Sequence, residues 1–381
     1  MSVSQLCPLG EIAEFFSGFA WKAGRFSDTP LGMPIIRIQN VGADASRDFK
    51  YWPDNYADRF VITKGDLLLT LSGSFRTAIW PGPDALLNQR IVKVSPKSNT
   101  DSRWLFYALE EAMVRIAGMG RHALVSNVAL SDLKELKIDV PPLEEQRRIA
   151  GILDQAAELC RLRTRALDKL NTLGQAIFHE MFGSHCDQLN ARKGTLGDFA
   201  DFFSGNTLPD GEEFADQANG YLILKVSDLN REGNTDAVTM AASWSRKTGT
   251  RASTCPAGAL VFPKRGGAIG TNKKRLLDRP AILDPNLMGV APKQSFMTSD
   301  FLEGWFSCFD LSGIASGSSV PQLNKKDLDP LPVVLPSFEN QLVYSKRRST
   351  LKEMQARARV AQDTANALFA SLQHRAFRGE L

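Results

Sequence analysis

Few residues in this chain have the type and spacing that catalysis needs. His179 and His185 flank Glu180, but they stand six positions apart, whereas a zinc-binding helix places two histidines four apart on one face. Asp284-Pro-Asn-Leu287 lacks the second proline and the aromatic ring with which amino-methyltransferases stack a flipped base. Gly266 to Gly270 is followed by Thr-Asn-Lys, not by the Lys-Ser/Thr pair of a phosphate-binding P-loop. The five cysteines are scattered, with no CxxC pair. They suit a reducing cytoplasm better than a disulfide framework or a zinc ribbon. No nuclease-like cluster of carboxylates and lysine stands out, so no cofactor or metal is expected.

Binding chemistry is easier to find. Lys264, Arg265, Lys273, Lys274 and Arg275 bracket the Gly266–Gly270 turn. A basic, glycine-containing loop brings cations and backbone amides to phosphates. Ser316, Ser318 and Ser319 offer further hydroxyl donors. In the first half of the chain, Ser72, Ser74, Arg76 and Thr77 occupy the corresponding loop, and Arg121, His122, Ser126 and Asn127 take the place of the serine-rich stretch. Gln39, Asn40, Arg90, Lys225 and Asn286 are weaker candidates, of types that read guanine or adenine edges. Any one of them is equally at home as a solvated surface side chain.

What positions these loops is a repeat. Leu9-Gly-Glu-Ile-Ala-Glu-Phe-Phe-Ser-Gly18 returns as Leu196-Gly-Asp-Phe-Ala-Asp-Phe-Phe-Ser-Gly205. Further matches follow in the same order, as repeat architectures require. Pro34 to Val41 pairs with Tyr221 to Leu229, Leu86 to Lys97 with Ile282 to Lys293, and Leu133, Leu136, Ile138 and Pro141 with Leu328, Leu331, Val333 and Pro336. His179 and Phe182 recur as His374 and Phe377. Each half reads as short strands and turns with one helix (from Trp104 or from Phe301), followed by a long helix that starts beyond Pro141-Pro142 or Pro336.

The long helices carry a narrow stripe. In the first it is expected at Ile149, Ile152, Ala156, Leu159, Arg163, Ala166, Leu170, Leu173 and Ile177. In the second it is expected at Tyr344, Arg347, Leu351, Met354, Ala358, Ala361, Ala365, Leu368 and Leu372. Alternating spacings of three and four mark a coiled-coil seam. Forty residues of helix extend about 60 Å. The expected fold is α+β, with two mixed strand/helix modules at residues 1–141 and 184–335. They are separated by two long helices, at 142–183 and 336–381, packed as an antiparallel coiled coil with pseudo-twofold symmetry.

Bulk properties fit a globular protein. Of 381 residues, 43% are hydrophobic and 23% charged, enough for cores without disulfides or metals. The net charge is only +4, so any polyanion must meet locally focused charge. The N-terminal residues lack the pattern of a signal peptide, and no run is long enough for a membrane span. A cytoplasmic location is expected.

The paired openings, the two Pro-x-x-x-x-Gln helix starts, the Gly-Ser-Ser stretch and the closing LFASLQHRAFRGEL together resemble the specificity subunit of type I restriction–modification systems. The resemblance covers nearly the whole chain. It implies target recognition domains that each read one half of a bipartite double-stranded DNA target, and helices that fix the gap. It also implies docking of two methyltransferase subunits and addition of restriction/translocase subunits, with no catalysis by this chain. The loops after Leu69 and Val261 diverge, as different half-sites require. A non-catalytic protein-binding scaffold is the alternative reading, and a stand-alone enzyme with an unfamiliar site is a more distant one.

Overall fold

A computed structural model describes residues 5–42, 47–71, 75–118, 130–183, 191–316 and 320–381. The chain divides into two compact units. The first comprises Met1–Thr164 with Val360–Leu381, and the second is Arg165–Arg359. Each long helix therefore contributes one part to each unit.

In the first unit, strand Ala13–Ser17 buries Ala13 and Phe15 and exposes Glu14 and Phe16, the period-two pattern of a half-covered sheet. It pairs antiparallel with Ile91–Pro96, which pairs with Leu67–Thr70, which pairs with Thr77–Ile79. Leu67–Thr70 is buried throughout because the sheet is covered on both faces. Leu67 and Leu69 pack with Trp104, Leu105 and Leu109 of helix Ser102–Gly118. Leu68 packs in a cluster with Ile36 and Ile62 of the second layer and with Trp80, which follows strand Thr77–Ile79. That layer is ordered Lys50–Trp52, Met33–Ile36, Ala85–Leu87, Val61–Ile62, and its central pair is parallel, with Ile35 opposite Leu86.

The second unit repeats the plan. Ala200–Ser204, Leu287–Pro292, Leu260–Pro263 and Arg275–Leu277 follow in the same spatial order, with Ala237–Val238 added at the edge. Phe202 stands opposite Val290 as Phe15 stands opposite Val94. In the other layer Tyr221–Leu224 runs parallel to Ala281–Leu283, between Ser243–Ser245 and Thr254–Cys255. Both the motifs matched in sequence and the strand pairings between them recur.

Helices Leu143–Phe182 and Phe338–Ala376 begin where the prolines place them. A glutamine fastens each start. The Gln146 amide donates to the carbonyls of Asn99 (3.2 Å) and Pro141 (2.8 Å) and accepts from the Asp101 N–H (2.8 Å). Gln341 does the same with Phe296 (2.9 Å), Pro336 (3.1 Å) and Thr298 (2.9 Å). Both side chains are buried, so every bond is needed to satisfy them.

Within each unit the two helices run antiparallel. In the first, Arg148 donates to the Leu381 carbonyl at 2.8 Å and Thr164 to Gln362 at 3.0 Å. In the second, Gln355 donates to the Leu170 carbonyl at 3.2 Å, and Arg347 lies 3.7 Å from Glu180.

The seam corrects half of the expected register. Ile149, Ala156, Tyr344, Leu351 and Ala365 are buried as anticipated. The alternate positions are shifted by one residue. Leu159, Leu173, Met354 and Leu368 are exposed, while Cys160, Gly174, Gln355 and Phe369 turn inward beside them. Arg163 and Ala166 are exposed as well, and Leu153 is inward in place of the half-buried Ile152. The inward set mixes glycine, glutamine and cysteine with apolar residues, so hydrophobicity alone favours the wrong neighbour. Gln355 earns its inward place by a second bond, to Asn171 at 3.2 Å.

Candidate nucleic-acid interface

Strand register decides which loops can meet. In the first unit, Ser17 is opposite Val92 and Thr70 is opposite Ile91. The turn after Ser17, the loop after Thr70 and residues Asn88–Arg90 therefore emerge at one end of the sheet. In the second unit, Ser204 is opposite Met288 and Pro263 opposite Leu287, and the turn after Ser204, the loop after Pro263 and residues Asp284–Asn286 emerge at the equivalent end. The second layer adds Lys225 there, because Leu224 is opposite Leu283.

The Phe-Phe-Ser-Gly motif makes this end tight. Gly18 donates to the Ile91 carbonyl and Gly205 to the Leu287 carbonyl, both at 3.1 Å. A Cβ on Gly18 would lie 2.3 Å from the Asn88 carbonyl oxygen, and one on Gly205 only 1.7 Å from that of Asp284. Only glycine allows the two backbones to approach so closely. The next residue continues the pattern: Phe19 donates to Leu87 at 3.0 Å and Asn206 to Leu283 at 3.1 Å.

By register Arg76, Thr77, Arg90, Lys225, Lys264, Arg265, Lys273, Lys274 and Arg275 lie at or beside these ends, but their side chains differ in freedom. Arg90, Lys225 and Arg265 are exposed. Lys273 is half-buried, and its ammonium bonds Asn230. Lys264 is only 6% exposed and bonds the Ser204 hydroxyl; burial and the neighbouring Arg265 lower its pKa. Lys274 donates to the Phe309 carbonyl at 2.6 Å, and burial lowers its pKa to about 8. Arg275 donates to the Asn234 carbonyl at 3.1 Å, and burial lowers its pKa too. In the first unit, Arg76 donates through its backbone to the Thr70 hydroxyl at 2.9 Å, and its guanidinium reaches the Val41 carbonyl at 3.4 Å. Thr77 donates to Glu110 at 3.1 Å, a bond that opposes the upward pull of burial on the Glu110 pKa.

Two weaker candidates separate. Asn40 is buried, where it accepts from the Arg37 N–H at 2.9 Å and donates to the Asp48 carbonyl at 3.2 Å, so its amide is committed to its own loop. Asn286 is exposed beside Asp284. Ser72, Ser74, Arg121, His122, Ser126, Asn127, Ser318 and Ser319 lie outside the described residues. The segments flanking Ser318 and Ser319 do reach the site: Gly266 donates to Pro321 and Leu323 to Lys264, both at 2.9 Å. Among the described residues, no cluster of potential metal ligands occurs and no helix is long and apolar enough to cross a membrane.

Sequence reasoning missed the glutamine fasteners and the seat of the glycine turn, although both were visible as repeated residues. It also missed Arg359, which pairs with Asp236 and donates to it at 2.9 Å.

Comparison with known proteins adds similar sequences and a similar fold. Residues 2–172 match the model of the type I restriction modification DNA specificity domain. A stretch of 147 residues, 38% of this chain, is 28% identical to the type I restriction enzyme EcoBI specificity subunit of Escherichia coli, of which it spans 31%. Over 85% of this chain and 81% of the relative, the identity is 22% to a putative type I restriction enzyme MjaX specificity subunit of Methanocaldococcus jannaschii. Among solved structures, a type I restriction–modification system S subunit from M. genitalium superposes with a TM-score of 0.58 at 15% identity, covering 99% of this chain and 96% of that one. A chain from a structure describing complex assembly and conformational transition of the type I R-M system gives 0.62 at 16%, covering 100% and 98%. Residues 2–172 are thus similar to the type I restriction modification DNA specificity domain, and the chain along its whole length shares the fold of solved type I restriction–modification S subunits.

Proposed function

We propose that this chain is the non-catalytic, sequence-reading subunit of a type I restriction–modification complex in the cytoplasm. Each module reads one half of a bipartite double-stranded DNA target with the end of its sheet. The long helices set the gap and dock two methyltransferase subunits, and restriction/translocase subunits join that assembly. S-adenosylmethionine, ATP and magnesium are then the partners' requirements.

One observation carries this reading best. The same sheet end occurs twice on the same backbone, tightened by the same glycine turn, with different side chains on its loops. A rigid frame with variable loops is what two half-sites demand, much as protein symmetry sets half-site spacing in dimeric repressors. Arg76, Thr77, Arg90, Lys225, Lys264, Arg265, Lys273, Lys274 and Arg275 remain the candidate contacts. Ser72, Ser74, Arg121, His122, Asn127, Ser318 and Ser319 belong to the same proposal. The exposed Arg90, Lys225 and Arg265 are best placed for phosphate or base contacts.

The test is selection of bound duplexes from a random library by the chain assembled with its methyltransferase partners. A split motif is expected. No enrichment of any sequence would contradict the proposal, as would adenine methylation by the purified chain alone.

A further inference from the structure

We propose that the residue following the glycine of the repeated Phe-Phe-Ser-Gly turn, Phe19 in the first module and Asn206 in the second, is a base-reading position of its half-site. This rests on the DNA-reading function proposed above and names a contact that it left unassigned.

Backbone equivalence comes first. Both residues donate from the same place, to Leu87 at 3.0 Å and to Leu283 at 3.1 Å, one step beyond the glycine. Both are exposed at the sheet end where the candidate cations emerge. The frame is therefore common, and only the side chain changes.

Phe19 is 47% exposed, so its ring offers apolar surface from an ordered turn. The turn is held firmly. The Phe19 carbonyl accepts from the Trp21 and Gln89 N–H groups, both at 3.0 Å. The ring is braced from behind by Trp21 at 4.8 Å and Phe60 at 5.3 Å between centroids. Such a ring loses little freedom on binding. The exposed Arg90 adjoins Gln89, and Arg59 lies 4.9 Å over the Phe60 ring, so cations border the apolar surface. An apolar face rimmed by cations fits the thymine methyl group in the major groove, with phosphates on either side.

Asn206 is built differently. Its Oδ1 accepts from the Thr207 N–H at 2.8 Å, so on this exposed side chain Nδ2 is the group left to donate. A donor in that place suits a base-edge acceptor: purine N7, guanine O6 or thymine O4. The two modules thus read different chemistry from one backbone position.

The experiment uses the chain assembled with its methyltransferase partners, and random-duplex selection on wild type, F19A, F19N, N206A and N206F, each checked for folding by thermal melting. The Phe19 variants are expected to change preference at one or two base pairs of one half-site, and the Asn206 variants in the other half-site only. Replacing the selected thymine by deoxyuridine should weaken wild-type binding roughly tenfold, within the usual cost of one altered base pair, and leave F19A unaffected. Identical motifs for folded variants and wild type, or equal sensitivity of F19A to deoxyuridine, would overturn the assignment. Variants with changed motifs in the expected halves support it. A wild-type complex that selects no motif at all would instead remove the function on which the assignment rests.

Discussion

Lysine 274 shows how little a residue's type says about its task. In sequence it sits in the most basic stretch of the second module and invites a phosphate. In the fold its ammonium is spent on the Phe309 carbonyl, and Arg275 is spent on that of Asn234. Both partners are distant in sequence and belong to loops with no local pattern, so neither bond was legible. Neutralising Lys273, Lys274 and Arg275 together would loosen the loop as well as remove charge. A cleaner test is K225A with R265A, since both side chains are exposed. Loss of two phosphate contacts should lower the slope of log affinity against log salt by about 2, with melting unchanged. An unchanged slope would place both residues off the DNA. Lys274 itself makes a pH prediction. Its folded pKa is depressed to about 8 by burial, against 10.5 for the free group, so between those values the unfolded chain binds more protons. Its contribution to stability should therefore rise with pH across that window. Competitive acetylation should find its amine titrating near 8 in the native protein and at the ordinary lysine value after denaturation.

At the scale of elements, the sequence was most readable where the backbone is constrained. The helix starts follow from the repeated prolines, whereas the strand order was not anticipated and the Gly18 and Gly205 turns were legible only as a repeat, not in the close backbone contact they make. The coiled-coil seam was half readable. Positions such as Ile149, Tyr344 and Leu351 are apolar and inward, but between them the helices offer two neighbouring candidates, as Leu173 with Gly174 or Met354 with Gln355, and packing within the unit selects one. Leu153 is fully buried while Leu159 is 37% exposed. Truncating Leu153 to alanine should cost about 2–5 kcal/mol, as for a packed core leucine. Leu159→Ala should stay within about 0.5 kcal/mol, as for an exposed site. Thermal or urea unfolding of the two variants distinguishes the observed register from the one that hydrophobicity suggests. Equal costs would contradict the observed register.

For the whole molecule, two modules and two helices form one repeat, with each long helix starting in one unit and ending in the other. The constant order of the motifs made it legible that each module is followed by its own helix, but not that each helix divides between the two units. The placement of the divergent loop side chains was not legible either, because these loops differ where the frame does not. The central claim is that the helices set the distance between two independent readers. Removing one heptad from each helix, at equivalent positions, shortens each by about 10 Å, close to three base pairs of duplex. Random-duplex selection with the wild-type complex should return two half-motifs at a fixed gap, and the shortened complex should return the same half-motifs about three base pairs closer. An unchanged gap, or a single uninterrupted motif, would contradict the account.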